Sequence, residues 1–310
     1  MRRNSGLSAL CLAAVLAVTA CKPDEVIATP DIPTAGIRFI NAVPDTSGAF
    51  GMDFRFVDLV ENSSTFRAVF RNNIVTTGGV PASTLVQFRP ARAGQRRFAI
   101  FLNDTLQSLA SVKLKDSTLT LEAGKLYTAI LWGNARGNAP AMRLSIIEEN
   151  VADPGSNVAV RVINATSEPI DVRHYLANAT APATPTWANV APLSVSSYVT
   201  MAPSTTAARY RFNIRAAGGS TALPGITTDP TGLIGNPASS TAGPAGKFDI
   251  PPTPGTDVAG SAISLIVFPR SVAGVPRIPQ TAAFQTNAAS FVWDRRPPNC
   301  PDLQRGCTYQ

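Results

Sequence analysis

Apolar and polar positions along this chain follow the period of strands. Ile37 and Phe39 flank Arg38, and Phe54 and Phe56 flank Arg55. Leu119 and Leu121 alternate before a Glu-Ala-Gly-Lys turn, and Leu126 to Trp132 is a continuous apolar run. Such short runs, rich in Val, Ile, Leu and Phe and cut by Gly, Pro, Asn and Asp every ten residues or so, predict β-sandwiches. The expected fold is all-β, with two tandem Ig-like sandwich domains. One apolar stretch differs. Leu7 to Val18, behind Arg2 and Arg3, is about 12 residues long, whereas a membrane span needs roughly 20.

That stretch ends in Val18-Thr19-Ala20-Cys21. A basic start, a short apolar core and small residues make a secretory signal, and with the cysteine it resembles the lipobox of bacterial lipoproteins. The resemblance implies that residues 1–20 are removed and that Cys21 is acylated. Residues 21–35, with Pro23, Pro30 and Pro33, then form an extended tether. Lys22 rather than Asp after the cysteine points to the outer membrane. The competing readings are an uncleaved anchor and an ordinary signal peptide. Cys11 leaves with the leader, so Cys300 and Cys307 remain, in a tail spanning 297–310. An even pair in an exported chain reads as a disulfide, contributing about 2–3 kcal/mol for so short a loop. No CxxC supports a redox or zinc pair instead.

A chain of 310 residues with 45% hydrophobic and only 15% charged residues can bury a core and is long enough for two domains. Its net charge of +7 falls to +5 without Arg2 and Arg3, which favours anionic surfaces only modestly.

A duplication organises the mature part. Ile37-Arg38-Phe39-Ile40-Asn41-Ala42 recurs as Val160-Arg161-Val162-Ile163-Asn164-Ala165, 123 residues later. Met52-Asp53-Phe54-Arg55 matches Ile170-Asp171-Val172-Arg173, Arg97-Phe98-Ala99-Ile100 matches Arg211-Phe212-Asn213-Ile214, and Gly124 to Trp132 matches Gly260 to Phe268. Four ordered matches predict tandem domains. The boundaries are 36–150 for the first, 151–157 for the linker and 158–296 for the divergent second. An excess of 22 residues between Phe212 and Gly260 falls in a Gly/Pro-rich segment, 218–256, expected to be a mobile loop.

At these residues the chain resembles the DUF4397 family of exported bacterial proteins. The family pattern is an opening strand ending Asn-Ala-x-Pro-Asp, an apolar-Asp-apolar strand and an Ala-Gly-x-x-Tyr-Thr strand. The first copy carries Asn41, Ala42, Pro44, Asp45, Asp53, Ala123, Gly124, Tyr127 and Thr128. The second keeps Asn164, Ala165 and Asp171 but has Ser167-Glu168 for Pro-Asp and Ile263-Ser264 for Tyr-Thr. The resemblance covers 36–150 well and 157–295 loosely. It implies sandwich modules without an established activity.

Candidate chemistry is sparse. The single histidine, His174, lies in a strand-like segment, and Gly243 to Lys247 departs from a phosphate loop at Thr241 and Phe248. No Gly-x-Ser-x-Gly elbow or calcium-loop spacing occurs. Asp45, Asp53 and Glu122 could form an acid pair if the fold assembled them; otherwise Asp45 is a turn residue, and Asp53 and Asp171 contact a turn or a nearby arginine. Arg89, Arg92, Arg96 and Arg97 could meet anionic lipid or polysaccharide, or protect a strand edge. Among the tryptophans, Trp132 is expected in the core and Trp187 exposed, as a sugar-stacking candidate. The sequence therefore points to a non-catalytic envelope lipoprotein, a structural or binding module. It implies no cofactor, metal or nucleic acid, and its partners are a membrane and a polysaccharide or envelope protein. The alternative is a carbohydrate-active enzyme with an Asp/Glu pair, or a carbohydrate-binding module.

Overall fold

A computed structural model of the chain describes residues 32–44, 52–58, 70–71, 88–102, 108, 111–134, 140–237, 239–243, 246–250, 252–270 and 286–297. Cys21, Asp45, Cys300 and Cys307 lie outside these residues, as do residues 1–31. From Thr34 onward the chain belongs to one compact unit.

The first half contains β1 (Thr34–Asn41), β2 (Met52–Phe56), β3 (Phe70–Arg71), β4 (Arg89–Arg92), β5 (Gly94–Leu102), β6 (Lys113–Leu121), β7 (Leu126–Trp132) and β8 (Arg143–Glu148). They make two four-stranded sheets, ordered β4-β1-β7-β8 and β3-β2-β5-β6. Ile37 and Phe39 from one sheet meet Phe56, Phe98 and Ile100 from the other, with Phe39 stacked on Phe98 at 4.7 Å. The all-β sandwich expected from the alternation is the observed architecture, and its core consists of the inward positions of a period-two pattern.

The second half contains β9 (Val158–Asn164), β10 (Ile170–Leu176), β11 (Trp187–Val190), β12 (Ser194–Val195), β13 (Val199–Met201), β14 (Tyr210–Ala216), β15 (Ser239–Gly243), β16 (Gly246–Ile250), β17 (Ala262–Phe268) and β18 (Ala288–Arg295). One sheet runs β12-β9-β17-β18 with β13 also on β9, and the other runs β11-β10-β14. Val160, Val162, Phe212, Ile214 and Leu265 fill the space between them.

The matches read from sequence recur as hydrogen bonds. β1 and β7 are parallel, with Ile37 opposite Tyr127; β9 and β17 are parallel, with Val160 opposite Ile263. Gly124 N donates to Thr34 O and Gly260 N to Asn157 O, both at 2.8 Å. The two glycines have φ of 77° and 82°, a left-handed turn that a Cβ disfavours. Ala42 N donates to Leu131 O, and Ala165 N to Val267 O.

The halves diverge where the first has β6. In the second, bridges Arg215–Ala222 and Arg211–Thr231 bring an irregular segment alongside β14. Leu223 and Ile226, each 4% exposed, join the core from it. The expectation of a mobile loop over 218–256 is corrected here: its apolar residues close an open sheet edge, and β15 and β16 pair as a hairpin. The apparent phosphate-loop residues Gly243 and Gly246 flank that hairpin's turn, and Gly246 opens a strand rather than the helix whose N-terminus would bind an anion.

A third apolar cluster belongs to neither sandwich alone. Ile40, Ala42, Ile130 and Trp132 pack with Ile163, Ala165, Ile266 and Phe268. These are the outward positions of β1, β7, β9 and β17, so the two parallel strand pairs stack face to face, each covering the other. Each large aliphatic side chain buried there contributes about 1.5–3 kcal/mol. Segment 151–157 thus joins halves that also share a core. A fragment of residues 34–150 should accordingly expose this face and self-associate, giving a dimer or larger species by size exclusion with light scattering. A monomer with a cooperative thermal transition would show that the first half covers this face itself.

Candidate functional site

The largest concentration of buried charge lies at the seam between the halves. Arg38 and Arg161 occupy outward positions on β1 and β9, beside the apolar Ile40 and Ile163. Arg38 is 1% exposed and Arg161 5%. Each guanidinium is held by the same set of groups in its own half. Arg38 Nε donates to Thr128 Oγ1 at 2.8 Å, and that hydroxyl donates to Glu149 Oε1 at 2.5 Å. Arg161 Nε donates to Ser264 Oγ at 2.7 Å, and that hydroxyl donates to Asp294 Oδ2 at 2.7 Å. The cations also lie on aromatic faces, Arg38 over Phe88 at 4.5 Å and Arg161 over Tyr198 at 4.8 Å.

The halves then exchange carboxylates. Arg38 Nη2 donates to Asp294 Oδ1 across the seam, while its distance to its own half's Glu149 is 3.3 Å. Arg161 Nη2 donates to both oxygens of Glu149, at 2.7 and 2.8 Å, and lies 3.3 Å from Asp294. Arg38 Nη1 adds a bond to Trp293 O at 2.6 Å, and Tyr198 OH donates to Asp294 at 2.9 Å. Two cations meet two anions, so no net charge is buried. The remaining lone pairs find hydroxyls, which is what a buried ion cluster needs to offset its desolvation. Burial opposes the charge on Arg161, but Asp294 and then Glu149 outweigh it and raise its pKa. Burial, then Asp294, raises Tyr198 and keeps its hydroxyl a donor.

Around this cluster Arg143 lies over Trp132 at 5.1 Å and donates to Leu193 O in the other half. Leu193 has φ of 50°, a strained choice for a residue with a Cβ, and it packs on the shared cluster.

The repeated asparagines build turns. Asn164 is fully buried; its amide donates to the carbonyls of Glu168, Val190 and Ala191, and its oxygen accepts from Thr166 N and Oγ1. Asn41 Oδ1 accepts from Val43 N at 3.0 Å in the same way. Ala42 and Ala165 are small where the two sheets approach. The repeated Arg, Asn and Ala therefore serve the seam, the turn geometry and the packing.

The sequence candidates are placed as follows. Asp53 lies on β2 opposite Arg71. Its counterpart Asp171, expected to contact a turn or a nearby arginine, accepts from Asn189 N at 2.7 Å and Gly218 N at 2.9 Å. Glu122 is paired with Lys125 at 2.8 Å, its side chain 60% exposed. Arg92 is exposed, whereas Arg96 bonds the carbonyls of Arg92, Ala93 and Gln95, capping its own turn. Arg97 is paired with Asp116 at 2.7 Å. Trp187, expected to be exposed, is corrected: it is 4% exposed within the second core, with no open face for a sugar ring. His174 is half-buried between Trp187 and Tyr210, its Nδ1 2.8 Å from Thr186 Oγ1.

Sequence reasoning missed Arg38, Arg161, Glu149, Asp294 and Tyr198. One signal was available, an arginine set inside an apolar strand in both copies. Ser264, read as a departure from the family pattern, preserves the hydroxyl of Thr128.

Two small depressions adjoin at the ends of β9 and β17, both lined by Ser167, Pro269 and Arg270, with volumes of about 130 and 40 Å³. Sites for drug-sized ligands run to roughly 300 Å³ or more. Among the described residues no three His, Cys, Asp or Glu side chains form a group that could hold a metal ion.

Residues 35–175 match the model of a family described as a domain of unknown function, DUF4397. The matched segment runs through 151–157 into β9 and β10, so it includes both seam arginines and Glu149. A comparison with curated proteins finds no match.

Glu149→Ala should leave two buried guanidiniums with one carboxylate and cost about 3–5 kcal/mol, read from urea unfolding of the full chain. A loss under 1 kcal/mol would contradict this account of the seam. Burial pushes the His174 pKa below its ordinary value near 6.5. Its neutral form is favoured in the fold, so its contribution is intact above pH 6.5 and is lost as pH falls toward the lower folded value. The urea midpoint should drop between pH 7.5 and 5.5, and less steeply in His174→Gln; identical slopes would remove His174 as the cause.

Proposed function

We propose that this chain is an envelope lipoprotein anchored through Cys21, whose two sandwich halves are tandem copies of the DUF4397 domain, the second divergent. It acts as a non-catalytic structural or binding module. The observation that carries the reading is the seam: its buried carboxylates and guanidiniums are used to hold the halves together. Glu149 and Asp294 have side chains 1% and 0% exposed, out of reach of a substrate. The common register of β1–β7 and β9–β17 supports descent from one duplicated unit, because in each the strand carrying the Arg-x-x-Asn-Ala run pairs in parallel with the strand that follows Gly124 or Gly260. The leader and Cys21 support a membrane address, and Cys300 with Cys307 is assigned as a disulfide on the same oxidising-compartment argument.

Metabolic labelling with a clickable fatty acid should tag the wild type and leave Cys21→Ser unlabelled, with Cys21→Ser released from the membrane fraction. Equal labelling of the two would overturn the anchor. Intact mass of the same protein before and after reduction and alkylation reads the tail pair, and two free thiols in fresh sample would overturn the disulfide.

A further inference from the structure

We propose that the outward face of β10 and β14 binds a carboxylate-rich polysaccharide, a polyuronate, through Arg173, Arg211 and Arg215. This deepens the binding-module reading and rests on it.

The face follows from the pleat. Val172, Phe212 and Ile214 point into the second core, so Arg173 and Tyr175 on β10, and Arg211, Asn213 and Arg215 on β14, point away from it. The register sets Arg173 opposite Asn213 and Tyr175 opposite Arg211. Adjacent strands lie about 4.8 Å apart, and same-face neighbours on one strand about 7 Å apart. The guanidiniums thus form a spaced grid that suits a repeating polymer better than a single ion.

The chain itself shows what this grid holds. Asp229 comes from the segment beside β14, and its carboxylate accepts from Tyr175 OH at 2.6 Å. Asn213 Nδ2 donates to both its oxygens at 3.0 Å, and Arg215 Nη2 is 3.8 Å away. A hydroxyl and an amide beside the arginines fit a planar, singly charged carboxylate. The hydrogen bond to Asp229 raises the Tyr175 pKa, so its hydroxyl remains a donor at neutral pH.

One carboxylate does not balance three guanidiniums. Asp171, the other acid at this register, is buried and turned onto the backbone amides of Asn189 and Gly218. Among the described residues, Arg173 bonds only Ala183 O, Arg211 only Asp229 O, and Arg215 bonds Ile214 O beside its contact with Asp229. Guanidinium nitrogens therefore remain for further carboxylates, and planar forks match carboxylates in pairs of bonds.

The test uses the full chain purified in detergent, with polygalacturonate, its fully methyl-esterified form and polyphosphate as probes in affinity electrophoresis. The wild type should bind polygalacturonate, at least tenfold more weakly when esterified, and less as salt rises. Arg173→Ser/Arg211→Ser should weaken binding at least tenfold with unchanged circular dichroism. Lys125→Ser, which removes a cation already paired with Glu122 and Glu148, should bind like the wild type. Equal binding of the esterified polymer, a tighter complex with polyphosphate, an equal loss in Lys125→Ser, or no binding by folded wild type would each overturn the proposal. A folded, acylated protein that ignores polygalacturonate would sink this face and leave the envelope reading standing, because labelling at Cys21 is read separately.

Discussion

Two arginines on the outward faces of β1 and β9 each take a carboxylate from the opposite half, and much of the molecule is arranged around that exchange. A guanidinium in an apolar strand is tolerable only if its charge is matched and its donors are taken up. Here the match for Arg38 is Asp294, and the match for Arg161 is Glu149. Neither half can satisfy its arginine to the same degree alone, since each reaches its own carboxylate only at 3.3 Å. The pairing therefore specifies which faces meet and in which orientation, while Ile40, Ile130, Ile163 and Ile266 beside it supply the apolar area. Ion pairs of this kind contribute little net stability compared with apolar replacements. Their effect is on register: a shifted packing would leave a charge buried without a partner.

The near-symmetry of the seam explains why the two halves resemble each other most where they touch. Arg38, Thr128 and Glu149 on one side correspond to Arg161, Ser264 and Asp294 on the other, and Phe88 to Tyr198. Away from the seam the constraint relaxes. Among the described residues no strand of the outward sheet in the second half matches β6, and Leu223 and Ile226 close its edge from an irregular segment instead. That outward sheet is free to carry a different surface, and it carries arginines. The seam holds the two halves together, and the faces turned from it are free of its pairing constraint.

Several features of the site were legible in the sequence only as repeated letters. The Arg-x-x-Asn-Ala run marked both opening strands, yet its meaning divides among three tasks. Arginine goes to the seam, asparagine to the turn after the strand, and alanine to the close approach of the sheets. Trp187 was misread because flanking prolines suggest a loop, whereas β11 turns the indole into the core. The segment 218–256 was misread because its composition lacks apolar runs; single residues at the right places were enough to close the sheet edge.

The sequence by itself determined the alternating strands and the glycine turns between them. Both depend on short-range patterns: alternation decides which side chains share a face, and glycine at positions 124 and 260 decides where a left-handed turn can form. It also showed one run of residue types, from Ile37 to Ala42, recurring 123 residues later. What covers the outward faces was decided only by tertiary structure. Period two says that Arg38 and Ile40 lie on the same side of a strand but is silent on what lies opposite. The partners of Arg38 are 111 and 256 residues away, and separations of that size leave no trace in local pattern. Whether an arginine in a strand is solvated or buried is an outcome of which sheets stack, and that depends on every contact in the fold at once.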